Sequence, residues 1–242
     1  MEEVSSRGVH TLSSVGRVLI PASRHPGMPN GESRPVGLSG SGAAFAVREP
    51  GGTGRDEGTW QVVGETRVLL VSGSTRAGST NTAALRTMRA AAPAGVVADL
   101  YDGLAGLPAF VPGDDEPVPP AVAELRRRIV ATDAVVLCTP EYAGTLPGSL
   151  KNLLDWTVGE GELYGKPVAW INVAVPGRGG GADATLATVL GYVGADVVTP
   201  APIRVPVARD ALGPDGLVAD EATRTALADA LARVVLHVAT PV

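Results

Sequence analysis

One cysteine, Cys138, stands in 242 residues, so neither a disulfide framework nor a cysteine-ligated zinc or iron–sulfur centre is available. Three histidines, His10, His25 and His237, are far apart in sequence, which leaves a Ser-His-Asp hydrolase or a His-rich metal site little to work with. Lysine is nearly absent: Lys151 and Lys166 are the only two. Aromatics are 4% of the chain, and no apolar run reaches the roughly 18 residues of a membrane-spanning helix. A net charge of −5 does not attract a phosphate backbone, so nucleic acid is not expected as a partner, and without an apolar span neither is a membrane. The N-terminus, with Glu2 and Glu3, lacks the basic-then-apolar pattern of a signal peptide, and the expectation is a soluble cytoplasmic protein. Apolar residues make up 45%, enough for one domain with a real core.

Composition divides the chain in two. Residues 1–66 hold 12 Gly and five Pro, with no sustained apolar period. Such a stretch cannot bury enough surface to offset chain entropy, and it predicts a disordered arm, with one short strand-like run at 17–20. Residues 67–242 alternate strand-like and helix-like segments. Strands are expected at Arg67–Gly73, Val96–Tyr101, Asp133–Thr139, Pro167–Val175 and, broken by prolines, Val197–Val207. Helices are expected at Thr80–Ala92, Pro117–Ala131, Leu146–Val158, Gly179–Val193 and Asp220–Ala239, with the arginines 126–128 exposed on the second. Five strands joined by helical crossovers imply an open parallel α/β sheet, of dinucleotide or flavodoxin type. Ligands of such sheets bind beyond the carboxyl ends of the strands.

Three loops lie at that edge. The first, Gly73-Ser-Thr-Arg-Ala-Gly-Ser-Thr-Asn81, brings hydroxyls, an amide side chain, a guanidinium and free N–H groups to a helix N-terminus. That set suits a phosphate. Gly73 and Gly78 have triphosphate-loop spacing, but Ser79 stands where the lysine belongs, so a monophosphate held and not transferred fits better. The plainer reading is helix capping by Ser79 or Thr80. The second loop follows Cys138 and presents Tyr142 between Pro140 and Gly144, either as a platform for a flat ring or packed on the next helix. A phosphatase reading of Cys138 fails because Gly144 occupies the arginine position, and the thiol reads as a small buried apolar group. In the third loop Gly177, Gly179 and Ala182 match a dinucleotide fingerprint weakly, in a chain with 31 Gly. Arg178 there either meets a dinucleotide phosphate or is solvated. No metal site and no side-chain nucleophile or base is read anywhere.

The first loop and the segment Thr139-Pro-Glu-Tyr-Ala-Gly-Thr-Leu-Pro-Gly-Ser-Leu-Lys-Asn-Leu-Leu-Asp-Trp156, in this order and at this separation, resemble the NADPH-dependent FMN reductase family. The resemblance covers about residues 67–240. It implies a flavodoxin-like fold, strand order 2-1-3-4-5 with helices on both faces, and FMN with NADPH or NADH as cofactors. It implies that Ser74, Arg76, Ser79 and Asn81, with the Thr80 backbone, hold the FMN phosphate. Pro140, Glu141 and Tyr142 would wrap the isoalloxazine ring. The family usually has Asn where this chain has Ala143, so backbone amides of 142–144, Gly144 included, would take over hydrogen bonding there. Gly177 and Arg178 would approach the flavin and the NADPH phosphates. Helix 146–158 would build a homodimer or homotetramer, with Leu150, Leu153, Leu154 and Trp156 facing partly toward the partner. The implied reaction passes hydride from NAD(P)H through FMN to a quinone, flavin, azo compound or metal oxyanion. The alternatives are a flavodoxin-like electron carrier and a non-catalytic nucleotide-binding regulator.

Overall fold

The computed structural model describes residues 45–47, 61–63, 65–113 and 117–240. The expected disordered arm falls largely outside these residues, as does the run at 17–20. Within residues 1–66, β1 (Phe45–Val47) and β2 (Gln61–Val63) pair antiparallel, a ladder that composition did not indicate. The first strand of the main sheet, β3 (Thr66–Ser72), starts one residue before the expected boundary at 67. Thr66 is buried, and its N–H donates to the Gly95 carbonyl at 2.8 Å.

The main sheet continues through β4 (Val96–Tyr101), β5 (Ala134–Cys138), β6 (Pro167–Asn172), β7 (Asp196–Val197) and β8 (Ile203–Arg204). Its order is β4-β3-β5-β6-β7, with β8 also beside β6, and every pairing is parallel. Counting β7 and β8 as one interrupted strand, this is the flavodoxin-like order 2-1-3-4-5. The interruption falls at Pro200 and Pro202, which have no N–H to give a ladder.

The helices are α1 (Thr80–Ala90), α2 (Pro120–Val130), α3 (Gly148–Trp156), α4 (Gly180–Tyr192) and α5 (Glu221–Ala239). They cover both faces, which is why the strands read as unbroken apolar runs. Successive strand residues point to opposite sides and feed two cores. Val68, Leu70, Val136, Ala169 and Ile171 pack with Leu85 and Met88 of α1 and Leu227 and Leu231 of α5. Leu69, Val71, Val135, Leu137, Val168 and Trp170 pack with residues of α2, α3 and α4, among them Leu125, Leu150 and Leu186. Each Val, Leu, Ile or Met side chain so taken from water contributes about 1.5–3 kcal/mol.

Helix α3 differs from the expectation drawn from the resemblance. Leu150, Leu153, Leu154 and Trp156 are at most 2% exposed inside the chain itself, so they are core residues and do not face a partner. Trp156 Nε1 donates to the Pro108 carbonyl at 2.9 Å and meets Phe110 edge-on with ring centroids 5.1 Å apart. Lys151 and Asp155 form a surface ion pair within the helix at 2.5 Å. Arg126 departs from its expected exposure too. Its Nε and Nη2 donate to the Trp156 carbonyl at 3.2 and 3.1 Å, and its Nε lies 3.1 Å from a Glu162 oxygen.

Candidate functional site

The loops after β3, β5 and β6 meet at the carboxyl edge of the sheet. The first two are joined at Gly73, whose N–H donates to the Cys138 carbonyl at 2.8 Å. A Cβ here would collide with Thr139 Oγ1 and lie 2.9 Å from Leu150 Cδ2, so only glycine lets the loops approach this closely. Ser72 Oγ lies 2.8 Å from Thr82 Oγ1 and accepts from the Ser74 N–H at 3.3 Å. Ser74 Oγ accepts from the Arg76 N–H at 3.3 Å. Thr75 to Gly78 are exposed.

Ser79 occupies the N-cap of α1 with extended backbone, yet no side chain caps the helix and no acid lies in its first turn. Capping by Ser79 or Thr80 is therefore not realised, and the first amides of α1 are left for another acceptor. The Arg76 guanidinium has no hydrogen bond or ion pair among the described residues. Uncapped amides, the hydroxyls of Ser74, Thr75, Ser79 and Thr80, and a free guanidinium make a donor set suited to a dianion. Asn81 departs from its expected place. It is buried, and its Oδ1 accepts from Cys138 Sγ at 3.3 Å, so this side chain faces β5 and not the loop. Burial pushes the Cys138 thiol up, which keeps it protonated as that donor.

In the second loop Tyr142 and Thr145 exchange two backbone hydrogen bonds of 3.0 Å. Between them Ala143 and Gly144 have φ of 49° and 76°, a two-residue left-handed turn. Ala143 is the only non-glycine with positive φ among the described residues. The asparagine usual in the resembled family tolerates this backbone; alanine does so at a cost. Tyr142 is 53% exposed, so its side chain is not covered by the next helix. Its N–H is used inside the turn, which leaves the amides of Ala143 and Gly144, not all three of 142–144, for a ligand.

Glu141 is engaged elsewhere. Its Oε2 accepts from the N–H of Gly181 at 2.6 Å and of Ala182 at 3.2 Å, capping α4. Helix α4 follows Gly179, with φ 83°, and its sequence supplies no capping side chain of its own. A Cβ on Gly181 would collide with the Gly144 carbonyl, and Thr145 Oγ1 lies 2.9 Å from Thr185 Oγ1. Asp183, in the first turn of α4, accepts from Trp170 Nε1 at 3.2 Å, Asn172 Nδ2 at 2.6 Å and Arg204 Nη2 at 2.9 Å.

The dinucleotide match at Gly177, Gly179 and Ala182 does not fit this geometry. The helix end where that fingerprint holds a pyrophosphate is filled by the Glu141 carboxylate, and Ala182 is buried. Gly177 and Arg178 remain on an exposed turn, the Arg178 side chain without a partner among the described residues. Sequence reading missed Gly181, Asp183 and the cap made by Glu141. The available signal was a helix opening on Gly179-Gly180-Gly181 with no Ser, Thr, Asp or Asn to cap it.

Residues 66–209 match the model of a family described as NADPH-dependent FMN reductase. An NAD(P)H-dependent FMN reductase of Pseudomonas aeruginosa is 34% identical over 167 residues, 65% of this chain and 87% of that protein. A quinone reductase of Escherichia coli is 36% identical over 106 residues, 42% of this chain and 56% of that protein. Among solved structures, the flavoenzyme NAD(P)H:(acceptor) oxidoreductase FerB of Paracoccus denitrificans superposes with a TM-score of 0.62 at 30% identity. That match covers 72% of this chain and 97% of FerB.

Proposed function

We infer the function from one premise: the chain belongs to the NADPH-dependent FMN reductase family. It is an oxidoreductase that uses FMN and NAD(P)H and delivers electrons to a small-molecule acceptor. FMN held by the chain would supply the redox chemistry that links NAD(P)H to a quinone, flavin, azo compound or metal oxyanion. The observation that carries the reading is the uncapped start of α1 beside Arg76, whose side chain has no partner among the described residues, at the sheet edge where Tyr142 stands exposed.

The chain's own residues then have separable tasks. Ser74, Arg76, Ser79 and Thr80 grip the FMN phosphate with the first amides of α1. Asn81 contributes through its backbone, since its side chain is bonded to Cys138. Tyr142, exposed after β5, would cover the ring and exclude water, with Pro140 in the same segment. The Ala143 and Gly144 amides would donate to bound flavin and stabilise negative charge on it. Gly177 and Arg178, on the exposed turn after β6, would meet the dinucleotide. No side-chain nucleophile or base is required.

No helix among the described residues is long and apolar enough to cross a membrane. The same proposal puts the protein in the cytoplasm as a homodimer or homotetramer. A partner at α3 would meet Lys151 and Val158, because the apolar side chains of that helix are already in the core. Light scattering after gel filtration tests the assembly. The functional test is the visible spectrum of the purified protein after adding FMN, followed by NADPH oxidation with a quinone present. Flavin bands that stay with the protein, and turnover, are expected. Absence of flavin bands after reconstitution would favour a non-catalytic regulator, and bound flavin with negligible NAD(P)H oxidation would favour an electron carrier.

A further inference from the structure

We propose that Glu141 is a positioning residue: its carboxylate fastens the turn 142–145 to the first turn of α4 and fills that helix end, leaving α1 to take phosphate. The resembled family's pattern counts Glu141 with the ring-wrapping segment, but here its side chain reaches away to the amides of Gly181 and Ala182. Among the described residues nothing else supplies this cap. The residue before α4 is glycine, the next two are glycines, and Asp183 is already bonded to Trp170, Asn172 and Arg204. A carboxylate 40 residues away in sequence therefore caps the helix.

The consequence falls on the turn. Glu141, just before it, is tied to α4 by the cap, and Thr145, at its end, is tied to Thr185. Between these ties the Gly144 carbonyl rests against Gly181, where no Cβ is possible. The turn carries the exposed ring of Tyr142 and the free amides of Ala143 and Gly144, so α4 sets where they stand. With two of its N–H groups donating to the Glu141 carboxylate, the start of α4 is electrostatically satisfied and does not compete for an anion. The start of α1 has no such partner.

This assignment rests on the reductase reading, and the test separates the two. Flavin-free wild type, Glu141→Gln and Glu141→Ala are compared by amide hydrogen exchange at Gly181 and Ala182, and by amide shifts on adding inorganic phosphate. Affinities for FMN and for riboflavin are measured on the same proteins. In Glu141→Ala, exchange at 181 and 182 should rise roughly tenfold or more, and phosphate should now shift those amides. FMN and riboflavin should weaken by a common factor, roughly 10- to 100-fold for loss of a charge-assisted contact, with their ratio unchanged because α1 still holds the phosphate. Glu141→Gln keeps an acceptor oxygen and should recover much of the protection and affinity. Unchanged exchange in Glu141→Ala, or weakening of FMN with riboflavin unaffected, overturns the assignment. Wild-type protein that binds neither flavin overturns the reductase reading instead, and the exchange and phosphate data then still decide whether Glu141 caps α4.

Discussion

Two glycines of α4 should respond in opposite directions to the same substitution. In a helix, Gly→Ala gains up to about 1 kcal/mol by restricting the unfolded chain and improving propensity. At Gly191 a Cβ meets nothing within 4 Å, so Gly191→Ala should show that gain. At Gly181 a Cβ collides with the Gly144 carbonyl and stands 3.0 Å from Glu141 Oε2. The first of these is backbone and cannot swing aside as a side chain does. Overpacking of this kind costs about 1–3 kcal/mol, and displacing Glu141 removes charge-assisted bonds worth a similar amount. Gly181→Ala should therefore be net destabilising by about 2–5 kcal/mol. For a chain of this length each kcal/mol moves the melting temperature by about 2–4 °C. Thermal unfolding of the flavin-free variants should show Gly191→Ala a few degrees above wild type and Gly181→Ala several degrees below. FMN affinity should drop in Gly181→Ala alone. Equal melting temperatures for the two variants, with equal FMN affinity, would mean that the second loop does not rest on α4.

Ala143→Gly relieves a left-handed backbone that costs alanine about 1–2 kcal/mol, partly offset by unfolded-chain entropy, and should raise the melting temperature by about 2 °C; Ala143→Asn should do likewise. Arg76→Ala should weaken FMN roughly 10- to 100-fold, measured by flavin fluorescence, and leave flavin-free unfolding unchanged, since the side chain has no partner among the described residues. Tyr142→Ala should lower the single-turnover reduction rate by NADPH more than flavin occupancy, while Tyr142→Phe stays near wild type; a wild-type rate at full occupancy in Tyr142→Ala would remove Tyr142 from the ring. Hydrogen bonds from Arg127 and Arg128 hold the Glu124 carboxyl down at about 2, below its ordinary 4.5. Its stabilising contribution is complete above the ordinary value and lost as pH falls toward the lower one, so Glu124→Gln should flatten the acid limb of stability against pH, and more so at low salt.

The sheet could be read from the sequence because its signal is local. Val68 to Val71, Ala134 to Cys138 and Val168 to Ile171 are apolar on both faces, which a strand covered by helices requires. The broken fifth strand was visible in its prolines. The hydroxyls and arginine of the first loop were also visible, since a single contiguous segment carries them. What sequence did not reveal depends on partners brought in from elsewhere. Asn81 looks like a loop donor until β5 places Cys138 against it. Glu141 looks like a ligand residue until α4 arrives uncapped. Leu150, Leu153 and Leu154 repeat at helical spacing, which says that one face is covered but not by what; here it is the chain's own core.

The break between β7 and β8 also bears on how the sheet meets other chains. A long outer strand offers a row of unpaired amides and carbonyls on which a foreign strand can grow. Here that side ends in two pieces of two residues, with Pro200 and Pro202 between them, so no continuous template is presented. The opposite outer strand, β4, keeps six consecutive residues. Strand addition to this sheet, productive or aggregating, is thereby directed to β4. There an intruding strand would meet Asp99, whose carboxylate already lies 3.4 Å from Arg128.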